Sequence, residues 1–355
     1  MLGRPNVHET LYNPLRNKVR CGVCERRCLI SPGEVGFCKT RMNIDNALYT
    51  LVYGDISSIS ANPIEKKPFF HFWPGSYALT GGTWGCNFTC PWCQNYALSK
   101  RRPEPLKARY MSPKTFVDMI PRTGCRGSSI SFNEPTMLFE YALDVFSMAR
   151  ERGLYNTYVS NGYMTSEALR LLRKAGMNAI KFDVKGDKEA VARYCNADVD
   201  VVWRNVRESI GLGMHVEVVV LVIPGVNDSD EDLRAIAGRH VKEAGIETPL
   251  HFTRFYPAYH MTDRPPTPVE TLERAHAIAV KAGVRYVYVG NVLGHRWENT
   301  YCPECGEMLI ERSGFAVAKY RITEDEGSGG KRCPVCGLEI PIIGRYTPPP
   351  TAITA

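Results

Sequence analysis

The 355-residue sequence predicts an α/β fold, a partial or near-complete (β/α) barrel with small cysteine-rich metal-binding modules at both ends. Three observations lead to it. Strand-like runs alternate with amphipathic helical segments through the middle of the chain, the βαβα signature of a parallel sheet. Eleven of the 13 cysteines fall into three groups, one before this region, one at its start and one after it. Hydrophobic residues make up 44% of the chain, ample for a large core.

The strands are expected at Tyr77 to Thr80, Ser128 to Phe132, Tyr155 to Ser160, Ala179 to Asp183, Val216 to Ile223, Leu250 to Phe255 and Tyr286 to Val289. Helix signals fill the gaps. Ser112-Pro113 sets a capping residue before a proline at the first helical position, and Thr267-Pro268-Val269-Glu270 adds a capping-box glutamate to the same arrangement. Gly176, Gly245 and Gly283 stand where helices should stop. Six or seven such units make a full or partial barrel. The boundaries that follow are a cysteine-rich module over residues 1–75, the barrel over 76–298, a zinc-ribbon-like module over 299–346 and a tail over 347–355.

The formal charge of +7 favours an acidic partner without specifying nucleic acid. Lys100, Arg101, Arg102, Lys107 and Arg109 follow the central cysteines, either as a solvated connection or as a basic approach that steers an anionic substrate. Residues 1–18 carry no apolar core of signal-peptide type, and no run of about 18 apolar residues appears. Paired C-x2-C spacings without a secretory signal favour metal over disulfides, so the expected compartment is a reducing cytoplasm.

Cys86, Cys90 and Cys93 have C-x3-C-x2-C spacing, which can hold an iron–sulfur cluster and leave one iron free of protein ligands. A structural zinc site completed by a fourth ligand is the competing reading. The run follows a strand through Gly81 and Gly82, and so belongs to a loop at the carboxyl end of that strand, where barrels build their sites. Side-chain alternation turns Lys181, Asp183 and Lys185 inward, and likewise Ser129, Ser131 and Asn133. Unpaired charge there is costly and points to function, with an internal salt bridge as the alternative for Asp183. Glu134 lies at a strand end, where it can accept from an ammonium group or serve a helix start at Pro135-Thr136. Ser160-Asn161-Gly162 is by itself a turn. His251 and Arg254 lie on opposite faces by parity. Pro63 to Pro68 is either a rigid linker or a presentation of Lys66 and Lys67 to an anionic group.

Two knuckles, Cys302-x2-Cys305 and Cys333-x2-Cys336, flank a hairpin-like segment containing Gly327-Ser328-Gly329-Gly330, a zinc-ribbon signature that a single rubredoxin-type iron shares. The set Cys21, Cys24, Cys28 and Cys38 is equally complete and suits structural zinc or an auxiliary [4Fe-4S] cluster. Cys125 and Cys195 remain as small buried hydrophobes.

The central loop resembles that of the radical S-adenosylmethionine (SAM) superfamily, C-x3-C-x-aromatic-C, with Trp92 in the aromatic place. The resemblance implies a radical SAM barrel in which Cys86, Cys90 and Cys93 hold a [4Fe-4S] cluster whose fourth iron is chelated by SAM. Reductive cleavage of SAM would give a 5′-deoxyadenosyl radical that abstracts hydrogen from a substrate. It further implies that Glu134, in Asn133-Glu134-Pro135, binds the SAM amine, and that Ser160 or Asn161 reaches the ribose or carboxylate. Asp183 and Lys185 become contacts to SAM or substrate, Val222-Ile223-Pro224-Gly225 lies beside the adenine, and a ferredoxin or flavodoxin supplies electrons. Asn62 to Pro68, His71-Phe72, Pro74-Gly75-Ser76, Cys93-Gln94-Asn95, Asn133-Glu134-Pro135-Thr136 and Val289-Gly290-Asn291 extend the resemblance to the radical SAM component of the AmmeMemoRadiSam system, related to pyruvate formate-lyase activating enzymes, with AMMECR-like and Memo-like proteins as partners. Substrate stays open between protein, RNA, lipid and small molecule. A glycyl-radical activase is one alternative, and a non-enzymatic zinc or iron–sulfur protein that binds nucleic acid or a partner is another.

Overall fold

The computed structural model describes residues 5–325 and 329–348. Gly327 and Ser328 of the expected hairpin, and residues 349–355 of the expected tail, lie outside the described residues. Eight strands form one sheet in chain order: β1 (Ser58–Pro63), β2 (Tyr77–Gly82), β3 (Gly127–Ile130), β4 (Tyr155–Ser160), β5 (Ala179–Val184), β6 (His215–Val222), β7 (Leu250–Arg254) and β8 (Val287–Gly290). Strands β2 to β8 are mutually parallel, and β1 runs antiparallel on the β2 edge. The two edge strands are not paired, so the barrel is open.

A helix fills each crossover: α1 (Pro113–Arg122), α2 (Phe139–Glu151), α3 (Ser166–Ala175), α4 (Val199–Gly211), α5 (Asp230–Ala244) and α6 (Val269–Lys281). The outward strand faces supply Leu79, Ile130, Tyr158, Ile180, Phe182, Val218, Val220, Phe252 and Val289 to a core shared with Phe116, Val145, Phe146, Leu172, Val206 and Leu233 of the helices. Each such side chain, fully buried, stabilises the fold by roughly 1.5–3 kcal/mol. Ser112 caps α1 by accepting from the Thr115 N–H at 3.1 Å. Thr267 does not cap α6, which starts after Pro268 without a side-chain cap. Its hydroxyl instead donates to the Val222 carbonyl at 2.6 Å and accepts from the Phe255 N–H at 3.0 Å, tying two strand ends together.

The first domain boundary moves. Ser58–Pro63, assigned by sequence to the amino-terminal module, is the edge strand of the large sheet. Residues 64–76 then turn under the amino-terminal ends of the parallel strands, where Phe69 and Phe72 pack on Ile64, Ala78, Tyr155 and Ala179. The Phe70 and His71 N–H groups both donate to Glu217 Oε1 at 2.8 Å. Glu217 also meets His215 Nε2 at 2.9 Å and His251 Nε2 at 2.6 Å. Burial pushes this carboxyl up, but the bonds from His215 and His251 more than offset it and hold it well below the usual carboxylate range.

Two three-stranded antiparallel sheets build the amino-terminal module, one of Tyr12–Leu15, Lys18–Cys21 and Leu29–Ile30, the other of His8–Glu9, Ala47–Thr50 and Arg41–Ile44. The carboxy-terminal module carries strands Thr300–Tyr301, Met308–Ser313 and Ala316–Tyr320, followed by the pair Thr323–Glu324 and Lys331–Arg332. It docks through the buried Arg312, which donates to the carbonyls of Phe70 at 2.9 Å and Glu298 at 3.0 Å and to Thr300 Oγ1 at 2.8 Å. No helix among the described residues is long and apolar enough to cross a membrane.

Burial depresses three histidines, His71 to about 3, His240 to about 4 and His276 to about 4. The unfolded chain therefore takes up protons below its histidine pKa of about 6.5 that the fold refuses. Burial raises Glu65 to about 7, an opposing contribution of one proton. Stability measured by urea unfolding should fall as the pH is lowered from about 6.5 toward 4, the three histidines outweighing Glu65. A flat profile over that window would show that these histidines are protonated in the fold.

Candidate active site

Strand β2 delivers the cysteine loop. After Gly82 the chain passes through Thr83, Trp84 and Gly85, and Asn133 grips that stretch: its Oδ1 accepts from the Thr83 N–H at 3.0 Å and its Nδ2 donates to the carbonyls of Trp84 at 3.2 Å and Gly85 at 2.9 Å. Gly85 has φ +80°, and a Cβ there would sit 2.7 Å from the Cys38 carbonyl oxygen, so the loop and the amino-terminal module touch where only glycine fits. The Asn87 carbonyl accepts from Arg26 Nε at 2.9 Å, and Asn87 Oδ1 from Asn161 Nδ2 at 2.8 Å. Lys100 Nζ donates to the Phe88 carbonyl at 2.8 Å, and Thr89 Oγ1 to that of Tyr194 at 2.9 Å.

Cys86, Cys90 and Cys93 open together onto a cavity of about 580 Å³. Burial pushes the Cys86 thiol well above its ordinary value, so a bound cation is what would hold it as thiolate. Cys195, expected as an inert core residue, is buried but lies with its Sγ 3.4 Å from Cys90 Sγ.

Glu134 lines the same cavity. Its Oε1 accepts from the Thr136 N–H at 3.1 Å, Thr136 Oγ1 at 2.5 Å and Ser160 Oγ at 2.8 Å, and its Oε2 from the Asn161 N–H at 2.9 Å. It therefore serves the short helix starting at Pro135 while facing the cavity. Burial raises its pKa, with bonds from Thr136, Asn161 and Ser160 pulling the other way. Asp183 bridges Lys181, 2.5 Å away, and Lys185, 3.3 Å away. Burial pushes Asp183 up, and the two lysines outweigh it and leave it lowered. The expected internal salt bridge is thus present within the cavity wall.

Of the sequence-predicted contacts, Trp92, Asn133, Glu134, Asn161, Asp183 and Lys185 line the cavity with the three cysteines. Ser160 does not reach it and instead supports Glu134. Asn133 spends its amide on the loop backbone. Val222 to Gly225 do not line the cavity; the apolar wall there comes from Val219 and Leu221 on the inward face of β6. His251 points inward as parity allows, while Arg254 donates to the Thr267 carbonyl at 2.8 Å. Glu65, Lys66, Lys67, Phe132 and Phe315 also line the cavity. Of these only Lys66 and Lys67 carried a signal in the sequence.

The three cysteine sets differ in spread. Cys302, Cys305, Cys333 and Cys336 bring all four sulfurs within 4.8 Å of one another, with Cys302 to Cys336 at 3.5 Å and Cys305 to Cys333 at 3.6 Å. Among the described residues this is the one group of His, Cys, Asp or Glu ligand atoms drawn so close. The amino-terminal thiols converge more loosely: Cys21 feels the charge of Cys28 and Cys38, and Cys24 that of Cys21 and Cys38.

The radical SAM superfamily profile matches residues 82–237. A Methanocaldococcus jannaschii protein of uncharacterised function is 42% identical over 327 residues, covering 92% of this chain and 96% of that one. Residues 82–237 belong to the radical SAM superfamily. The pyruvate formate-lyase-activating enzyme of Streptococcus mutans is 24% identical over 172 residues, 44% of this chain and 63% of that enzyme. Among solved structures, a radical SAM methyltransferase from Sphaerobacter thermophilus superposes with TM-score 0.47 at 15% identity, covering 60% of this chain and 66% of that one. A domain of a pyruvate-formate lyase-activating enzyme from Bacteroides vulgatus gives 0.41 at 13%, covering 46% and 99%. Membership implies a [4Fe-4S] cluster and SAM. The residues present fit such a radical SAM pair: three soft thiols face one cavity, and the buried Trp92 Nε1 on its wall has no partner among the described residues.

Asn133→Ala removes three bonds to the loop backbone. Stability should fall by about 1–3 kcal/mol, and amide exchange at Thr83 and Gly85 should quicken relative to β4. Unchanged exchange there would mean that the loop holds itself.

Proposed function

We propose that this chain is a radical SAM enzyme: Cys86, Cys90 and Cys93 would hold a [4Fe-4S] cluster that, once reduced, would supply the electron for reductive cleavage of SAM to methionine and a 5′-deoxyadenosyl radical able to take a hydrogen atom from a substrate. The observation that carries this reading is the convergence of Glu134, Asp183, Lys185 and the three cysteines on one cavity. Glu134 Oε1 is saturated by three donors, while Oε2 accepts one and keeps a lone pair for an ammonium group such as that of SAM. Asn161 fixes the loop beside Cys86 through Asn87. Asp183 and Lys185 offer charged contacts to SAM or substrate, and a low-potential one-electron donor of ferredoxin or flavodoxin type reduces the cluster.

The metal content follows from the spread of the thiols. Zinc–sulfur bonds of about 2.3 Å place tetrahedral ligands about 3.8 Å apart, which the carboxy-terminal set meets. A cluster holds its cysteines farther apart, which suits the amino-terminal set. Asn87 bears on this second site: it is fully buried, and its side chain lies against the Cys24 thiol and pulls its pKa down against the rise from burial.

Anaerobically reconstituted protein with dithionite and SAM should release 5′-deoxyadenosine, and Cys90→Ala should release none. Glu134→Gln should weaken SAM binding by about tenfold or more, the loss of one charge-assisted bond. A fully reduced, cluster-loaded protein that neither binds nor cleaves SAM would refute the assignment. Metal analysis should return about eight irons and one zinc per chain, falling to about four irons in Cys24→Ala. About four irons with two zincs would instead assign zinc to the amino-terminal set.

A further inference from the structure

The radical SAM reading assigns Glu134, Asp183 and the cysteines but leaves two cavity lysines unexplained. Strand β1 runs antiparallel to β2, with Pro63 opposite Tyr77, so Lys66 and Lys67 enter from the amino-terminal end of the parallel strands. The cysteines enter from the carboxyl end. Lys67 is only 6% exposed. Among the described residues no carboxylate lies within 4.0 Å of either ammonium; Lys67 Nζ is 5.4 Å from the centre of the Phe132 ring and Lys66 Nζ 5.9 Å from that of Phe315.

The other charges on the cavity wall do not neutralise them. Asp183 is committed to Lys181 and Lys185. Glu134 is surrounded by donors, and Glu298 accepts from the Gly294 N–H at 3.2 Å. Glu65 accepts from the Gly75 N–H at 2.7 Å, and burial holds its carboxyl near neutrality, at about 7. A desolvated ammonium without a counter-ion is costly. Burial, with Lys66 and Lys181 nearby, brings Lys67 down to about 7, the expected response to that cost. Lys66, exposed at the cavity's edge, lies within electrostatic reach of the buried Lys67, so the two can share the oxygens of one anion.

We propose that Lys66 and Lys67 bind an anionic group of the substrate, a carboxylate or a phosphate, in this cavity. The proposal rests on the radical SAM reading of this cavity. It makes the substrate a small anionic molecule, or the anionic end of a larger one, whose reacting carbon lies toward the cysteines.

The test is calorimetric titration of the reconstituted, SAM-loaded protein with inorganic phosphate and, separately, with succinate. At least one should bind at one site per chain, about tenfold or more weaker in Lys67→Met and restored in Lys67→Arg. Binding of phosphate alone identifies a phosphorylated substrate, and binding of succinate alone a carboxylate. Release of 5′-deoxyadenosine from the same preparations keeps failure of this proposal distinct from failure of the radical SAM reading. Binding of neither anion would overturn the proposal. So would binding that survives Lys67→Met but is lost in Arg102→Met, which would place the anion in the separate surface pocket lined by Arg101, Arg102, Lys107 and Arg109.

Discussion

A buried carboxylate under an open barrel is the constraint on which the architecture rests. Seven parallel strands and one antiparallel edge strand form an open barrel; segment 64–76 packs under their amino-terminal ends, and the carboxy-terminal module packs on Phe70 and β8. Glu217 holds that segment by accepting from two consecutive backbone N–H groups and two histidines. An ionised carboxylate pays a large desolvation penalty at such a site, and four donors offset it only if all are present. The chain is therefore fixed at Phe70 and His71. Arg312 then binds the Phe70 carbonyl, so the docking of the last module depends on the same short stretch.

At the other end, polar side chains on the strand termini act on the cysteine loop as much as on the cavity. Asn133 from the end of β3 and Asn161 from the end of β4 hold the loop before and after Cys86. Arg26 holds it from the amino-terminal module, reaching the Asn87 carbonyl and, at 3.2 Å, that of Cys195. The amino-terminal module is thus part of the support of the candidate site. Its Val23 and Gly22 carbonyls accept from Thr165, just beyond Asn161, which extends the contact along the same rim.

Much of this was legible in the sequence. The inward placement of Lys181 and Asp183 follows from parity alone, whereas Asn133 lies past the end of β3, where four consecutive residues line the cavity. Strand β1 was not legible, because Ser-Ile-Ser-Ala-Asn-Pro has little apolar content and a proline, a pattern an edge strand tolerates and a sequence pattern cannot separate from a loop. Glu217 left a weak signal: it interrupts an otherwise apolar run at the same parity as His215. Its four donors come from three separate segments, and no local pattern announces them. Thr267 was located correctly and given the wrong work, since a hydroxyl at a strand end satisfies whichever backbone groups the tertiary structure leaves unpaired. Cys195 is buried as expected, and its approach to Cys90, 105 positions away, left no local signal.

The cavity joins these two ends. Phe70, Phe88, Trp92, Phe132, Val219 and Leu221 give it apolar walls between the lysines and the cysteines, where a reactive carbon would be shielded from water. Charged groups enter that space from the inward face of β5, from the loops that follow the strands and from the segment 64–76. The geometry that closes the bottom of the barrel is therefore also what sets Lys66 and Lys67 inside it. A change at the Glu217 junction would reach the cavity through the backbone three residues from Lys67, without touching any residue of the cysteine loop.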